Sequence, residues 1–291
     1  MPIPPAEVAV DADLVSRLLA QQHPQLAGLP VSFLNNGWDN FMFRLGEDLL
    51  VRLPRRQMGA ELMQKELRYV PEIAPRLPLP VSVPLYAGEP GCGYPWHWSI
   101  TPWIPGTSAD KTPPTRQSLS LWTQFLQGLH TEAPIEGPRN SYRGVPLATR
   151  DEAFMERLQH LRDRKLAPYA EIYSLWQQGL DADPAFIPCW LHGDLHPLNI
   201  VCDQGKIVGV IDWGDLCIGD VATDLASYYQ LFSHTLANDF LRHHYGASPA
   251  QIARARASAV FFAVVFLDSG VDESPQQVAI ARKTFSNLGL P

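Results

Sequence analysis

Apolar residues recur along this chain with two different periods, and the period changes near residue 102. In 11–22, Leu14, Val15, Leu18 and Leu19 stand three and four apart behind an acidic start, which predicts an amphipathic helix. Short apolar runs follow at 31–34, 40–45 and 48–53. The turn-forming stretches Asn35-Asn36-Gly37-Trp38-Asp39-Asn40 and Gly46-Glu47-Asp48 separate them, which predicts three antiparallel strands. Residues 60–70 return to helical spacing, with Ala60, Met63, Leu67 and Val70 on one face. The proline-rich stretch 71–84 leads to strand-like runs at 83–87 and 96–101. Helical periodicity then dominates, at 117–130, 150–161, 169–179, 224–236 and 249–267. Within that half, the runs 199–202 and 206–211 flank Asp203-Gln204-Gly205 and predict a β-hairpin.

The expected architecture is α+β and bilobal. A small β-rich N-terminal lobe spans 1–101, a short stiff hinge spans 102–106 (Pro102-Trp103-Ile104-Pro105-Gly106), and a larger, mainly helical lobe spans 107–291. At 291 residues, 46% hydrophobic and 18% charged, the chain can bury a substantial core and does not read as disordered. Its formal charge of −7 lacks the basic surface that nucleic acid requires, so no nucleic-acid partner is expected. The most apolar run, 257–267, falls short of the roughly 20 residues that cross a bilayer, so it predicts a buried helix and no membrane partner. The first residues, Met-Pro-Ile-Pro-Pro-Ala-Glu-Val, show neither the basic nor the apolar region of a secretion signal. Cys92, Cys189, Cys202 and Cys217 form no C-x-x-C pair and no zinc spacing, and read as buried free thiols in a reducing cytoplasm.

The chemistry concentrates in 190–214. Asp194 precedes Asn199 by five residues, and Asp212 ends the apolar run Ile207-Val208-Gly209-Val210-Ile211. Phosphoryl transfer from a nucleotide needs this set: a carboxylate to receive the acceptor hydroxyl's proton, and an amide with a second carboxylate to hold Mg²⁺. The Asp-to-Asn spacing is that of a kinase catalytic loop, and the later Asp-x-Gly is similar to its metal-binding motif. Asp194 alone would read first as a turn residue capping backbone amides; Asn199 and Asp212 at this spacing select the catalytic role. A carboxylate ending a buried strand is costly unless paired or metal-bound, which argues for a metal role for Asp212. His192 and His196 read as structural, His192 ordering the loop through a carbonyl or a carboxylate. Asp215 reads as a turn residue.

The string His192-Gly-Asp194-Leu-His196-Pro-Leu-Asn199, then Ile211-Asp212-Trp-Gly214, then Gly219-Asp220-Val-Ala-Thr-Asp224 resembles the aminoglycoside phosphotransferase family, which also holds macrolide phosphotransferases and kinases of small metabolites. The resemblance covers nearly the whole chain. It implies a protein-kinase-like fold, ATP or GTP as donor, Mg²⁺ as cofactor, Asp194 as catalytic base, and Asn199 and Asp212 as metal ligands. It makes Asp220 and Asp224 structural, one tying the catalytic loop and the other capping the next helix. Leu50-Val51-Arg52-Leu53 is similar to the strand that carries the phosphate-binding cation, with Arg52 where protein kinases have Lys. Glu66, in the lobe's helix, is its expected partner, with Glu61 the alternative. Asn36 and Gly37 occupy the place of the phosphate loop. The segment 98–104 should be the hinge strand whose backbone reads the purine, which puts Trp103 and Ile104 at the nucleotide.

Only six residues separate Asp212 from Gly219, which leaves no room for a long activation loop. The expected acceptor is a small hydroxylated molecule, an aminoglycoside first, held by carboxylates among Asp151, Glu152, Glu156, Asp268, Asp272 and Glu273. Tyr228, Tyr229, Phe232, Phe261, Phe262 and Phe266 would equally suit an apolar macrolide, and a metabolite such as an amino alcohol or sugar remains open. A nucleotide-binding pseudokinase module is the rival from another class, disfavoured because the required groups are all present.

Overall fold

The computed structural model describes residues 4–134 and 136–291; residues 1–3, the start of the segment read above for a secretion signal, lie outside them. Helix α1 (Ala12–Gln22) starts where the Asp11 carboxylate accepts the Leu14 N–H at 2.8 Å. Strands β1 (Val31–Asn36), β2 (Asn40–Leu45) and β3 (Leu49–Pro54) form an antiparallel meander. Alternation along these strands sends Phe41, Phe43, Leu45, Val51 and Leu53 to one side, where they meet Leu14, Val15, Leu18 and Leu19 of α1. Each such side chain contributes about 1.5–3 kcal/mol by burial. The opposite face presents Met42, Leu50 and Arg52.

Helix α2 (Gln57–Ile73) follows. It runs three residues past Val70 and through Pro71, although the proline-rich stretch predicts an end at 70. Val70 and Ile73 both enter the larger core, and a proline in the last turn forfeits a single backbone bond. Its inward face also differs from the prediction: Glu66 is buried and Leu67 only half-buried, because the helix presents a carboxylate to β3. The strand predicted at 83–87 shrinks to β4 (Tyr86–Gly88), which pairs with β5 (Trp98–Pro102) at the far edge of the five-stranded sheet. Residues 80–82 turn instead to the C-terminal half, where Val210 N–H donates to Pro80 O at 3.0 Å and Ser82 N–H to Val210 O at 3.2 Å.

After β6 (Thr107–Ser108) come α3 (Leu119–Leu129), α4 (Asp151–Asp163) and α5 (Tyr169–Leu180). The predicted hairpin forms as β8 (Ile200–Asp203) and β9 (Lys206–Val210), and β6 adds to its edge. Two further strands, β7 (Cys189–Leu191) and β10 (Cys217–Gly219), pair on either side of it. At three residues each they are too short to show a period.

The single helix predicted at 224–236 is three: α6 (Ala222–Leu225), α7 (Ser227–Leu231) and α8 (His234–Phe240), with the chain extended at Phe232. Every residue of α7 is buried, so no polar face marks where one turn ends and another begins. Helix α9 (Pro249–Gly270) carries a capping box from Ser248 and Gln251. It is long and apolar enough to cross a bilayer, yet most of it lies inside the core against α5 and α10 (Pro275–Leu288). α10 is not among the helices that apolar spacing predicts; it buries Ile280, Ala281 and Phe285. The architecture is α+β, with the sheet N-terminal and the helices C-terminal. All four cysteines are free; Cys202 and Cys217 are buried as expected, whereas Cys92 is exposed.

Candidate active site

A cleft of about 480 Å³ opens between the polar face of the meander and the β8–β9 hairpin. Period-two alternation puts Arg52 on its wall, since Val51 and Leu53 point into the core. One helical turn beyond Met63, Glu66 faces it. The guanidinium meets both carboxylate oxygens, Nη1 on Oε2 and Nη2 on Oε1 at 3.1 Å, with both side chains at least 95% buried. Burial would lower the Arg52 pKa, but Glu66 outweighs it and holds the guanidinium firmly charged. Glu61 accepts from Gln57 instead. Arg52 Nη2 also lies 3.5 Å from Asp212 Oδ1, which ties the sheet to the far wall.

Gly37, Trp103 and Ile104, three of the residues expected at a nucleotide, line this cleft. Asn36 does not; it ends β1 opposite Phe41, and Asn35 takes its place on the wall. The Trp103 N–H is spent on Asp48 O at 2.7 Å, whereas the Ile104 N–H has no backbone acceptor among the described residues. Asn40 Oδ1 and Ser82 Oγ are buried on the same lining without hydrogen-bond partners among the described residues, and nothing in their spacing marks them.

The loop after β7 is fixed by buried polar groups. Asp224 accepts the His192 N–H at 2.8 Å and the Gly193 N–H at 2.9 Å, and meets His130 Nε2 at 3.2 Å. His192 accepts the Asp194 N–H on Nδ1 and donates from Nε2 to Ile211 O at 3.0 Å, which requires the neutral Nε2–H tautomer. Gly193 has φ +86°, and a Cβ there would stand 2.5 Å from Asp215 O. Asp220 pairs with Arg254 at 2.6 Å and accepts the Ala222 N–H, so it caps while Asp224 ties the loop.

Asn199 donates from Nδ2 to Asp194 O at 3.0 Å, which leaves its Oδ1 without a partner among the described residues. Asp212 has left-handed backbone, φ +65°, and its side chain is 59% exposed. The burial argued above from the preceding strand therefore does not hold: β9 ends at Val210, and the carboxylate turns out into the cleft. Non-glycine residues rarely occupy that region, and the conformation aims Asp212 at Arg52.

Asp194 is held by two bases. Its Oδ1 lies 2.5 Å from Arg143 Nη2 and its Oδ2 3.1 Å from His196 Nε2. Burial pushes the carboxyl up, but Arg143 and then His196 outweigh it and hold it well below the usual carboxylate range. Arg143 carries no sequence signal: it lies 51 residues upstream of Asp194 in an irregular loop. Asn140 shapes that loop, its Oδ1 accepting the Tyr142 and Arg143 N–H groups while its Nδ2 donates to Asp215 at 2.7 Å. Asp215 is thus a turn residue that also anchors the loop.

The acidic groups expected around an acceptor are not gathered. Asp268 is taken by Arg157 and His160, Asp272 by Arg164, and Asp151 by the Trp176 N–H.

Sheet, hairpin and polar loop together give the cleft a kinase-like architecture. Residues 30–258 match the phosphotransferase enzyme family, and the chain belongs to that family. A curated relative, the uncharacterized protein YcbJ of Bacillus subtilis (strain 168), is 25% identical over 167 residues, 56% of this chain and 53% of that protein. The chain thus aligns with about half the length of that relative. Among solved structures, the GDP complex of wild-type aminoglycoside 2'-phosphotransferase-IIIa superposes with a TM-score of 0.69 at 16% identity, covering 96% of this chain and 99% of the other. Macrolide 2'-phosphotransferase type I gives a TM-score of 0.61 at 17% identity, covering 97% and 98%. Both share the bilobal kinase-like fold.

Proposed function

We propose that this chain is a nucleotide-dependent O-phosphotransferase that moves the γ-phosphoryl group of ATP or GTP to a hydroxyl of a small molecule. The observation that carries this reading is the arrangement around the loop. Asp194 and Asn199 share a hydrogen bond, and Asp212 is tied by Arg52 to Glu66 on the opposite wall of the cleft. In the transfer, the acceptor oxygen bonds the γ-phosphorus as the bond to the β–γ bridging oxygen breaks and the nucleoside diphosphate leaves. Asp194 accepts the hydroxyl's hydrogen bond, takes its proton and releases it to solvent. Held ionised at neutral pH, it serves chiefly to aim the hydroxyl, which suits a loose transition state. Arg52 faces the phosphates, with Gly37 at the hairpin tip and the Ile104 N–H at the base's edge. The nucleotide would lie under residues 1–101 and the connection 102–106, and the acceptor against 107–291.

Asn199 and Asp212 fit Mg²⁺: one free amide oxygen and one exposed carboxylate are hard oxygen ligands, and the nucleotide's phosphates would complete the shell. The ion, when bound, would neutralise charge on the phosphates. A cytoplasmic location fits the four free thiols.

Aminoglycosides are the first acceptors to assay, with macrolides next, because the solved neighbours are named for them. One observation favours a different acceptor: the carboxylates Asp268 and Asp272 are already neutralised by arginines, and Arg143 stands at Asp194. The test is nucleotide consumption against aminoglycosides, macrolides and small metabolites. Asp194→Asn should cut transfer about 10²–10⁴-fold while nucleotide affinity stays within a few-fold. A wild type that binds nucleotide and transfers to none of these acceptors would instead be an interaction module.

A further inference from the structure

A small cavity of about 30 Å³ is reached by Arg143, which also contacts Asp194, and both charged side chains on its wall are arginines. It carries the guanidiniums of Arg143 and Arg150, the hydroxyls of Thr223 and Ser258, and the rings of Phe261 and Phe262, with no carboxylate among the lining residues. Arg143 is shared, reaching Asp194 at 2.5 Å and Asp215 at 3.8 Å while its guanidinium stacks over Phe262. Arg150 has no carboxylate partner among the described residues. Its guanidinium lies over Tyr142 and Phe261, and its Nε is buried without a hydrogen-bond partner among those residues. Burial and the neighbouring Arg143 charge both push the Arg150 guanidinium below its usual value.

An arginine cannot relieve such a position by losing its proton, because its pKa stays too high. A buried guanidinium donor without an acceptor is a standing cost that an anion would remove. The cavity has room for a group of a few atoms, since a single water needs roughly 10–15 Å³. Carboxylate and phosphate oxygens match the fork of an arginine.

We propose that the acceptor bears a carboxylate or phosphate group, which seats between Arg143 and Arg150 and places the reacting hydroxyl at Asp194. This rests on the phosphotransferase reading above for its reaction, but not for the anion site. Arg143 then serves twice, bridging the bound anion and Asp194, and Arg150 sets the preference for charge. A polycationic acceptor would meet two like charges at this position.

The test separates the two readings. With the nucleotide cleft saturated by a non-hydrolysable ATP analogue and Mg²⁺, calorimetry measures binding of inorganic phosphate, D-glycerate and glycerol. The expected result is binding of phosphate or glycerate, or both, with glycerol at least tenfold weaker. Arg150→Gln should weaken the anions about ten- to a hundredfold, the loss expected for one charge-assisted contact, and Arg150→Lys should recover part of it. Phosphate alone binding identifies a phosphorylated acceptor, and glycerate alone a hydroxy acid. Glycerol binding as well as the anions, or anion affinity unmoved by Arg150→Gln in a variant that melts like the wild type, overturns the inference. Transfer is measured separately, comparing hydroxy acids and sugar phosphates with their uncharged counterparts. Absence of transfer to every acceptor with anion binding intact would overturn the phosphotransferase reading and leave the anion site standing.

Discussion

Replacing Glu66 by Gln keeps the shape of the side chain and removes its charge, leaving Arg52 cationic in a site where both partners are at least 95% buried. The lost attraction is about 4 kcal/mol for charges about 4 Å apart at an effective dielectric of 20. Asp212, 3.5 Å from Arg52, takes up part of the orphaned charge, but its side chain is 59% exposed and screened by water. A net loss of about 3 kcal/mol follows, at the lower end of what breaking a buried pair costs. Urea unfolding followed by both tryptophan fluorescence and circular dichroism measures it and reveals whether the sheet half unfolds separately. Nucleotide affinity should fall as well, because Arg52 is no longer held against the cleft wall. The double variant Arg52→Met/Glu66→Leu supplies the control: replacing both partners with apolar groups should return most of the stability while nucleotide binding stays lost. The reasoning fails if Glu66→Gln costs under about 1 kcal/mol, or if the double variant is as unstable as the single one.

Gly193→Ala forces a side chain onto left-handed backbone with its Cβ 2.5 Å from Asp215 O; with strain of order 1–3 kcal/mol, the melting temperature should drop by several degrees and turnover should fall with it. Burial pushes the Cys202 and Cys217 thiols up to about 12, so at pH 8 a thiol reagent should label exposed Cys92 first and leave those two unmodified until the protein unfolds. The folded-state pKa of Asp194 is depressed, so the stability that its ionised form contributes is present above the unfolded value near 3.9 and is lost as pH falls below it. The stability difference between the wild type and Asp194→Asn should therefore shrink as pH falls below about 4; a difference that stays unchanged down to about pH 2 would contradict the assigned direction.

Local spacing reached furthest where one period governs a whole element. Leu14, Val15, Leu18 and Leu19 show α1, and the turns at 35–40 and 46–48 show the meander, because burial on one side leaves a readable alternation. It failed where burial is all round or the element is too short. α6 and α7 present no polar face, and β7 and β10 hold three residues each. At the site, Asp194, Asn199 and Asp212 sit within 19 residues of one another and were legible as a motif. Arg143, Arg150, Asn40 and Ser82 come from three separate segments and had no local signal.

By itself, then, the amino-acid sequence determined the α+β architecture and the spacing of Asp194, Asn199 and Asp212, because periodicity and short-range spacing are properties of neighbours along a chain. Tertiary structure decided which charges meet. It chose Glu66 over Glu61 for Arg52, turned Asp212 out of the strand into the cleft, spent Asp268 and Asp272 on their own arginines, and set Arg143 against Asp194. Coulomb attraction and desolvation depend on distance and burial in three dimensions, and residues 51 positions apart acquire both only when the chain folds.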